Sequence, residues 1–195
     1  MKDDSPNGMI AQTASLGNLI RDEFDACNER VLKFIPDSDL RKMEHVVIAG
    51  CGDSHMSGLA TEFAFEQIAG IPTEPFNSLD GGRYNAPFVQ PNTIMFAISV
   101  GGDKMRTVEV AARFRKFGAT TVGVTAHPDS ALGKRVNLIL DCTIPGHKPS
   151  PGVRSYRVSL LMLWLLAIRL GEVRGKLSKQ EAAALRAELK ATGDA

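Results

Sequence analysis

Apolar positions along the chain follow first a helical period and then a strand-and-helix alternation. Ile10, Leu16, Leu19, Ile20, Phe24, Cys27, Val31 and Phe34 fall, from Ile20 onward, at alternating steps of four and three. That spacing predicts a helical segment over residues 9–35, closed by Pro36. Short strand-like runs then alternate with helical ones. Strands are predicted at 45–50, 72–77, 93–99, 119–125 and 136–142, and helices at 54–69, 104–117 and 154–170. A short helix is expected at 128–133, and Leu79 to Tyr84 reads as a broken helical turn.

Gly70 and Gly118 stop two of the helices, while Pro72 and Pro75 push strand 72–77 towards a sheet edge, where a missing N–H costs least. Strand 93–99 is apolar through its middle, as a strand covered on both faces should be. This order predicts an α/β fold with a parallel, five-stranded sheet wrapped by helices on both sides. Helix 104–117 is expected to turn Met105, Val108, Ala111, Ala112 and Phe114 inward. The uniformly apolar stretch 158–168 predicts core on one side and a subunit contact on the other. In the tail, Leu177 to Leu189 has a capping pattern, Ser178 with Glu181 three residues on, but only a narrow apolar face. Such a helix is expected to pack on something outside the chain, or to fray.

Composition sets bounds on function. The chain has 195 residues, 44% apolar and 23% charged, with a formal net charge of +1. That is one soluble domain large enough for a proper core. Its basic residues are scattered, which excludes a nucleic-acid stripe. The run Val158 to Leu170 is interrupted by Ser159 and Arg169 and falls short of the roughly 20 residues that cross a bilayer. Residues 1–8 are polar, with no signal-peptide core, and are expected to be disordered. The expected organisation is a single domain over 9–174, a linker-like helix over 175–195 and a cytoplasmic setting. Cys27, Cys51 and Cys142 are expected to be reduced.

The chemistry-bearing residues cluster at two turns. The first is His45-Val-Val-Ile-Ala-Gly-Cys-Gly-Asp-Ser-His-Met-Ser-Gly58, where a strand stops at a Gly-x-Gly bend and small polar residues open a helix. Backbone N–H groups at such a helix start form an anion cradle. Gly52, Asp53, Ser54 and Ser57 are its candidate ligand contacts, although Asp53 or Ser54 could instead simply cap the helix. The second is Thr93-Ile-Met-Phe-Ala-Ile-Ser-Val-Gly-Gly-Asp-Lys104. Ser99, Gly101, Gly102, Lys104 and, one turn on, Thr107 are candidates there. A lysine opposes the helix dipole, so Lys104 fits best beside an anion, whereas Asp103 reads as a cap that would repel one. A third set, Val153, Arg154 and Ser155, follows the Pro/Gly-rich loop 144–152. His55 is the candidate acid or base. No metal-ligand spacing is present, and no cofactor is expected.

These motifs resemble the sugar isomerase (SIS) domain family. Cys51-Gly-Asp-Ser-His-Met-Ser57 is similar to the family's Cys-Gly-Thr-Ser-x-x-Ser. Ala69-Gly-Ile-Pro72, Arg83-Tyr84 and Pro151-Gly-Val-Arg-Ser-Tyr-Arg-Val158 also resemble it, the last being similar to Gly-Val-Ala-Ser-Thr-Lys-Ala. The second turn departs from the family's Ser-x-Ser-Gly-Glu-Thr: Gly101 and Lys104 stand where two hydroxyl residues are expected. The resemblance covers roughly residues 10–190 and is closest in kind to the first of two SIS domains in an aminosugar-phosphate synthase. It implies a three-layer αβα sandwich of flavodoxin-like topology, phosphosugar binding, and isomerase or aminosugar-deaminase relatives that work by proton transfer. It also implies a homodimer or higher oligomer, or packing on a second SIS domain. The family's catalytic glutamate and histidine come from later segments and are not recognisable here, so a non-catalytic sensor or structural domain is the alternative. A Rossmann-type nucleotide binder is disfavoured because Gly50-x-Gly52-x-x-His55 lacks the third glycine.

Overall fold

Each strand runs parallel to its neighbours, in the order β2-β1-β3-β4-β5. In the computed structural model, which describes residues 6–145 and 152–194, these are β1 (His45–Gly50), β2 (Thr73–Asn77), β3 (Thr93–Ile98), β4 (Thr120–Thr125) and β5 (Leu138–Asp141). Eight α-helices are described: α1 (Pro6–Ala14), α2 (Leu16–Lys33), α3 (Asp37–Leu40), α4 (Asp53–Ala64), α5 (Ser78–Asp80), α6 (Met105–Lys116), α7 (Val153–Val173) and α8 (Lys179–Ala191). Strand β2, with its Pro75, lies at an edge as expected.

Strand residues alternate between two cores, which makes the architecture three-layered. Val46, Ile48, Ile94, Phe96 and Ile98 point to one side with α2, α4 and α7. Val47, Ala49, Met95 and Ala97 point to the other, against α6 and the segment around Leu132 and Val136. The period-two alternation of a strand thus feeds both faces of the sheet.

Several expectations need correction. The helical segment 9–35 is two helices, broken at Ser15, whose hydroxyl donates to the Gln12 carbonyl at 2.8 Å and competes with the helical ladder. Ile10 is exposed rather than packed inward. Of the segment 1–8, residues 1–5 lie outside the described residues, and Pro6 begins α1. Residues 128–132 form turns, with one 3₁₀ turn at Gly133–Arg135, because the Ser130 hydroxyl takes up the Gly133 N–H. On α6, Met105 is 70% exposed, whereas Val110 and Thr107 are buried.

Helix α7 is buried nearly all round, between the sheet and α2, α4 and α8. In its apolar stretch only Leu160 and Trp164 are half-exposed, so the surface left for the subunit contact expected there is small. Helix α8 keeps its capping box and packs on its own chain. Ala182 is buried, Arg186 pairs with Glu172 at 2.8 Å, and Lys190 pairs with Asp25 at 2.8 Å. The narrow apolar face suffices because polar contacts complete the packing.

One charge sits deep inside this frame. Arg169 of α7 is 2% exposed. Its guanidinium donates to the carbonyls of Val31 and Ile35 and to Asp37, the latter two at 2.6 and 2.7 Å, and lies 5.6 Å from the Phe34 ring centre. The carbonyls at the end of α2, left without helical partners, are thereby satisfied. Removing the arginine strands buried acceptors, whereas Asp37 is 63% exposed and returns to water. Arg169→Ala should therefore lower the unfolding free energy by roughly 3–5 kcal/mol, and Asp37→Ala by about 1 kcal/mol or less, measured by urea denaturation. Equal losses in the two variants would contradict this account.

Candidate functional site

Gly50 and Ile98 are register partners, so β1 and β3 end level with one another. From there the chain leaves on opposite faces: α4 packs with α7 on one side, α6 with the second core on the other. A crevice must open between the two departing turns, as at the switch point of any doubly wound sheet. The structure has a cavity of about 470 Å³ there, lined by Cys51, Asp53, Ser54, Ile98, Ser99, Val100, Gly101, Asp103, Lys104, Ser155, Tyr156 and Ser159.

Local sequence dictates the turns. A side chain on Gly50 would meet the Ser54 backbone at 2.6 Å, so a glycine lets the first turn of α4 close onto the strand end. Gly102 has φ +73°, and a Cβ there would sit 2.1 Å from the Ser130 hydroxyl. Its N–H donates to the Ser99 carbonyl at 2.8 Å, closing the second bend. Gly101 is different, since nothing lies within 4 Å of its would-be Cβ. The absent side chain leaves room in the cavity itself.

Six of the expected site residues meet at the cavity: Asp53, Ser54, Ser99, Gly101, Lys104 and Ser155. Gly52 (φ +55°) and Gly102 shape its two turns from behind. The others are placed elsewhere. Ser57 is buried and donates to the Ser54 carbonyl at 2.8 Å, bracing the helix start. Thr107 is also buried, between the Ser78 hydroxyl at 3.1 Å and the Cys51 sulfur at 3.7 Å. Arg154 is turned towards α1, donating from its side chain to Ser15 at 2.7 Å and from its backbone to Gln12 at 3.4 Å. Neither Val153 nor His55 lines the cavity, because the helical twist carries them off the face that bears their neighbours Ser155 and Ser54.

Capping does not explain the acidic residues. The N-cap positions of α4 and α6 are Gly52 and Lys104, and neither helix start has a side-chain capping bond. Among the described residues, Asp53, Asp103 and Lys104 have no ion-pair or hydrogen-bond partner, and the N–H groups of Gly101, Asp103 and Lys104 have no acceptor. The hydroxyls of Ser54 and Ser99 are likewise without a partner there. Free donors of this kind around one cavity suit a ligand with several negative or hydroxyl oxygens.

Tyr156 and Ser159 were missed, although helical spacing from Ser155 could have found Ser159 one turn on. His147 and most of the loop 144–152 lie outside the described residues. No group of three or more His, Cys, Asp or Glu among the described residues could hold a metal ion. No helix among them is long and apolar enough to cross a membrane.

A model of the SIS domain family matches residues 39–169, two thirds of the chain. The chain belongs to that family. The glutamine–fructose-6-phosphate aminotransferase (isomerizing) of Methanosarcina mazei is 28% identical over 73% of this SIS domain chain, which spans only 23% of that relative's length. Among solved structures, the C-terminal domain of glucosamine-fructose-6-phosphate aminotransferase from Francisella tularensis superposes with a TM-score of 0.81 at 18% identity. The match covers all of this chain and 55% of that one. The NanR protein of Vibrio vulnificus, solved in complex with ManNAc-6P, superposes at 0.61 with 14% identity, over 92% of this chain and 70% of its own. At these identities the structural matches establish the shared fold.

The cysteines provide a check on the geometry. Burial pushes the thiols of Cys27 and Cys142 up to about 11 and about 12, whereas Cys51 is half-buried at the cavity. The raised values keep Cys27 and Cys142 protonated at pH 8, and only the thiolate reacts. Native protein at pH 8 should therefore release close to one equivalent of thionitrobenzoate from Ellman's reagent within minutes, and three in 8 M urea. Fast reaction of all three thiols in the folded state would show the interior packed differently.

Proposed function

We propose that this SIS domain binds a sugar phosphate in the cavity between the β1 and β3 turns. The carrying observation is that Ser54, Ser99, Gly101, Asp103 and Lys104, whose hydroxyls, N–H groups and ammonium have no partner among the described residues, line one space of about 470 Å³. The phosphoryl group sits in the second bend, where the N–H groups of Gly101, Asp103 and Lys104 and the Ser99 hydroxyl provide the cradle. Lys104 supplies as charge what the missing hydroxyls would have supplied as hydrogen bonds. Ser54, Ser155 and Tyr156 face the sugar hydroxyls. The ManNAc-6P complex of the Vibrio vulnificus protein, which shares this fold, supports the reading.

Two forms of the reading differ in chemistry. In one, the domain serves an isomerase or an aminosugar deaminase, moving a proton between neighbouring carbons of a ring-opened sugar phosphate. In the other it senses the ligand for a partner or an oligomer. The placement of His55 outside the cavity and the loss of hydroxyls at 101 and 104 favour the second. Self-assembly, as a homodimer or with a second SIS domain, would cover Met56, Leu59 and Phe63, three exposed apolar residues spaced along one face of α4. Free thiols at all three cysteines accord with a cytoplasmic setting.

Calorimetric titration tests the binding. Fructose 6-phosphate should bind and fructose should not. Lys104→Ala should weaken binding about tenfold or more, the range for a charge-assisted contact of roughly 1.5–3 kcal/mol. Absence of heat with every hexose and pentose phosphate tried would overturn the proposal. Incubating bound ligand and following it by phosphorus NMR separates the two forms, since the sensing form yields no new resonance.

A further inference from the structure

A second cavity, of about 260 Å³, opens at the opposite edge of the sheet, where β1, β2 and β3 begin. All of its lining residues are described. Strand β1 separates the two cavities: His45 lines this one and Gly50 borders the other, roughly 16 Å away at about 3.3 Å per residue. Val47 and Glu74 are register partners, and Val47 belongs to the second core. The pleat therefore sends Glu74 to that same face and, two residues on, Phe76 with it. Phe76 packs against the core and Phe114 is buried in it, so Glu74 is a carboxylate on an otherwise apolar face. It has no ion-pair or hydrogen-bond partner among the described residues, and neither has the Asn85 side chain. Phe88, which ends the 3₁₀ turn Ala86–Phe88, stands 77% exposed at the rim. No Lys or Arg lines the cavity. Arg113, beside Phe114 on α6, is turned away to the Gly82 carbonyl at 3.1 Å and to Glu109 at 3.3 Å.

From this lining we infer a second binding site, for a small organic cation: an ammonium group on a compact apolar body, with Glu74 as its counter-ion. Three phenyl rings and one unpaired carboxylate around a single hollow match such a ligand on both of its parts. The rings of Phe76 and Phe114 receive the apolar body, and the exposed ring of Phe88 offers its electron-rich face to the charge. The Asn85 amide oxygen is free to accept from an ammonium N–H. A volume just under the range usual for drug-sized ligands limits the occupant to a small molecule. An anion finds no cation in the lining, and a neutral apolar ligand would leave the carboxylate without a partner. A charge on an edge strand also discourages pairing with another chain. Strand β2 already has Pro75 for that purpose, and such a role calls for neither a hollow nor an aromatic rim.

This site is independent of the phosphosugar reading, which stands or falls on the other cavity. Two pairs of probes of matched shape test it by saturation-transfer NMR at pH 8, where imidazole is uncharged. Choline is compared with 3,3-dimethylbutan-1-ol, and benzylammonium with benzyl alcohol. At least one cation should bind with a Kd below about 10 mM, and its neutral partner at least fivefold more weakly. Glu74→Gln should weaken that cation fivefold or more and leave the alcohol unchanged, as befits loss of a charge-assisted contact. Phe88→Ala should weaken it about two- to fivefold. Saturating fructose 6-phosphate should not displace it. Equal binding of cation and alcohol, or no binding by either cation, overturns the proposal. Displacement by fructose 6-phosphate, or a cation affinity untouched by Glu74→Gln, places the cation elsewhere and overturns it as well. The matched pairs are read on the wild-type chain, so the charge preference is decided even if a variant does not fold.

Discussion

Strands β1 and β3 lie side by side, end level, and send their chains to opposite faces of the sheet, and from that arrangement the rest of the molecule follows. Two departing turns cannot fill the space between them, so a crevice opens at the carboxyl edge whatever the side chains are. What the sequence adds is the lining. Glycine at 50 lets α4 begin almost on top of the strand, and glycine at 102 bends the second turn against Ser130. Each removes bulk behind the crevice, and polar groups are left in front of it. The same arrangement explains why β1 and β3 are so apolar. Each is covered by helices on both faces, so neither strand has a solvent side to mark with polar residues.

Much of the fold was legible because periodicity and punctuation agreed. The strand at 93–99 announced itself by an apolar middle, the edge strand by its prolines, and α8 by a capping box that the structure retains in full. The errors have identifiable causes. Met105 sits at a helix start, where the apolar face is not yet defined by a full turn, and it faces water. Ser15 breaks a continuous helical period because its hydroxyl offers the backbone a local alternative, which a count of apolar positions cannot register. Helix α7 looked like a helix with one face to spare for another subunit. Most of that face is covered within the chain by α2, α4 and α8, which leaves Leu160 and Trp164 half-exposed, an outcome set by tertiary packing rather than by any property of residues 158–168.

The site was legible to about the level of its turns. Residues whose chemistry depends on backbone position, namely Ser99, Gly101, Lys104 and Ser54, meet at the cavity because turn geometry is local. Residues whose role depends on where a helix points its side chains were harder to assign. His55 and Ser54 are adjacent in sequence, yet Ser54 lines the cavity and His55 does not. Thr107 and Ser57 carry hydroxyls that spacing alone would offer to a ligand, but the fold uses both internally. Arg154 is the sharpest case. A cation beside Ser155 reads as an anion contact until α1 is in place, when Ser15 and Gln12 claim it. The dependence of Arg154 on α1 is a contact across well over a hundred residues, and no local pattern encodes it.

Helix α7 joins stability to function in a way neither alone would require. Its first turns supply Ser155, Tyr156 and Ser159 to the cavity, and its later turns hold the buried Arg169 that closes the end of α2. Between them lies a stretch with almost no exposed surface, so the two ends are connected through the core. A wall built on such a helix holds Ser155, Tyr156 and Ser159 in positions set by its packing, and a proposed ligand meeting them there would cost little side-chain ordering. The opposite wall is built of short turns, tied to β4 by the Ser99 N–H donating to the Val124 carbonyl and to one another by the bonds of Gly102 to Ser99 and Leu132 to Gly102. Among the described residues, the cavity is thus framed by a packed helix on one side and hydrogen-bonded turns on the other. In the proposed site, the charged residues that would meet a ligand are then Asp53, Asp103 and Lys104, at the starts of α4 and α6.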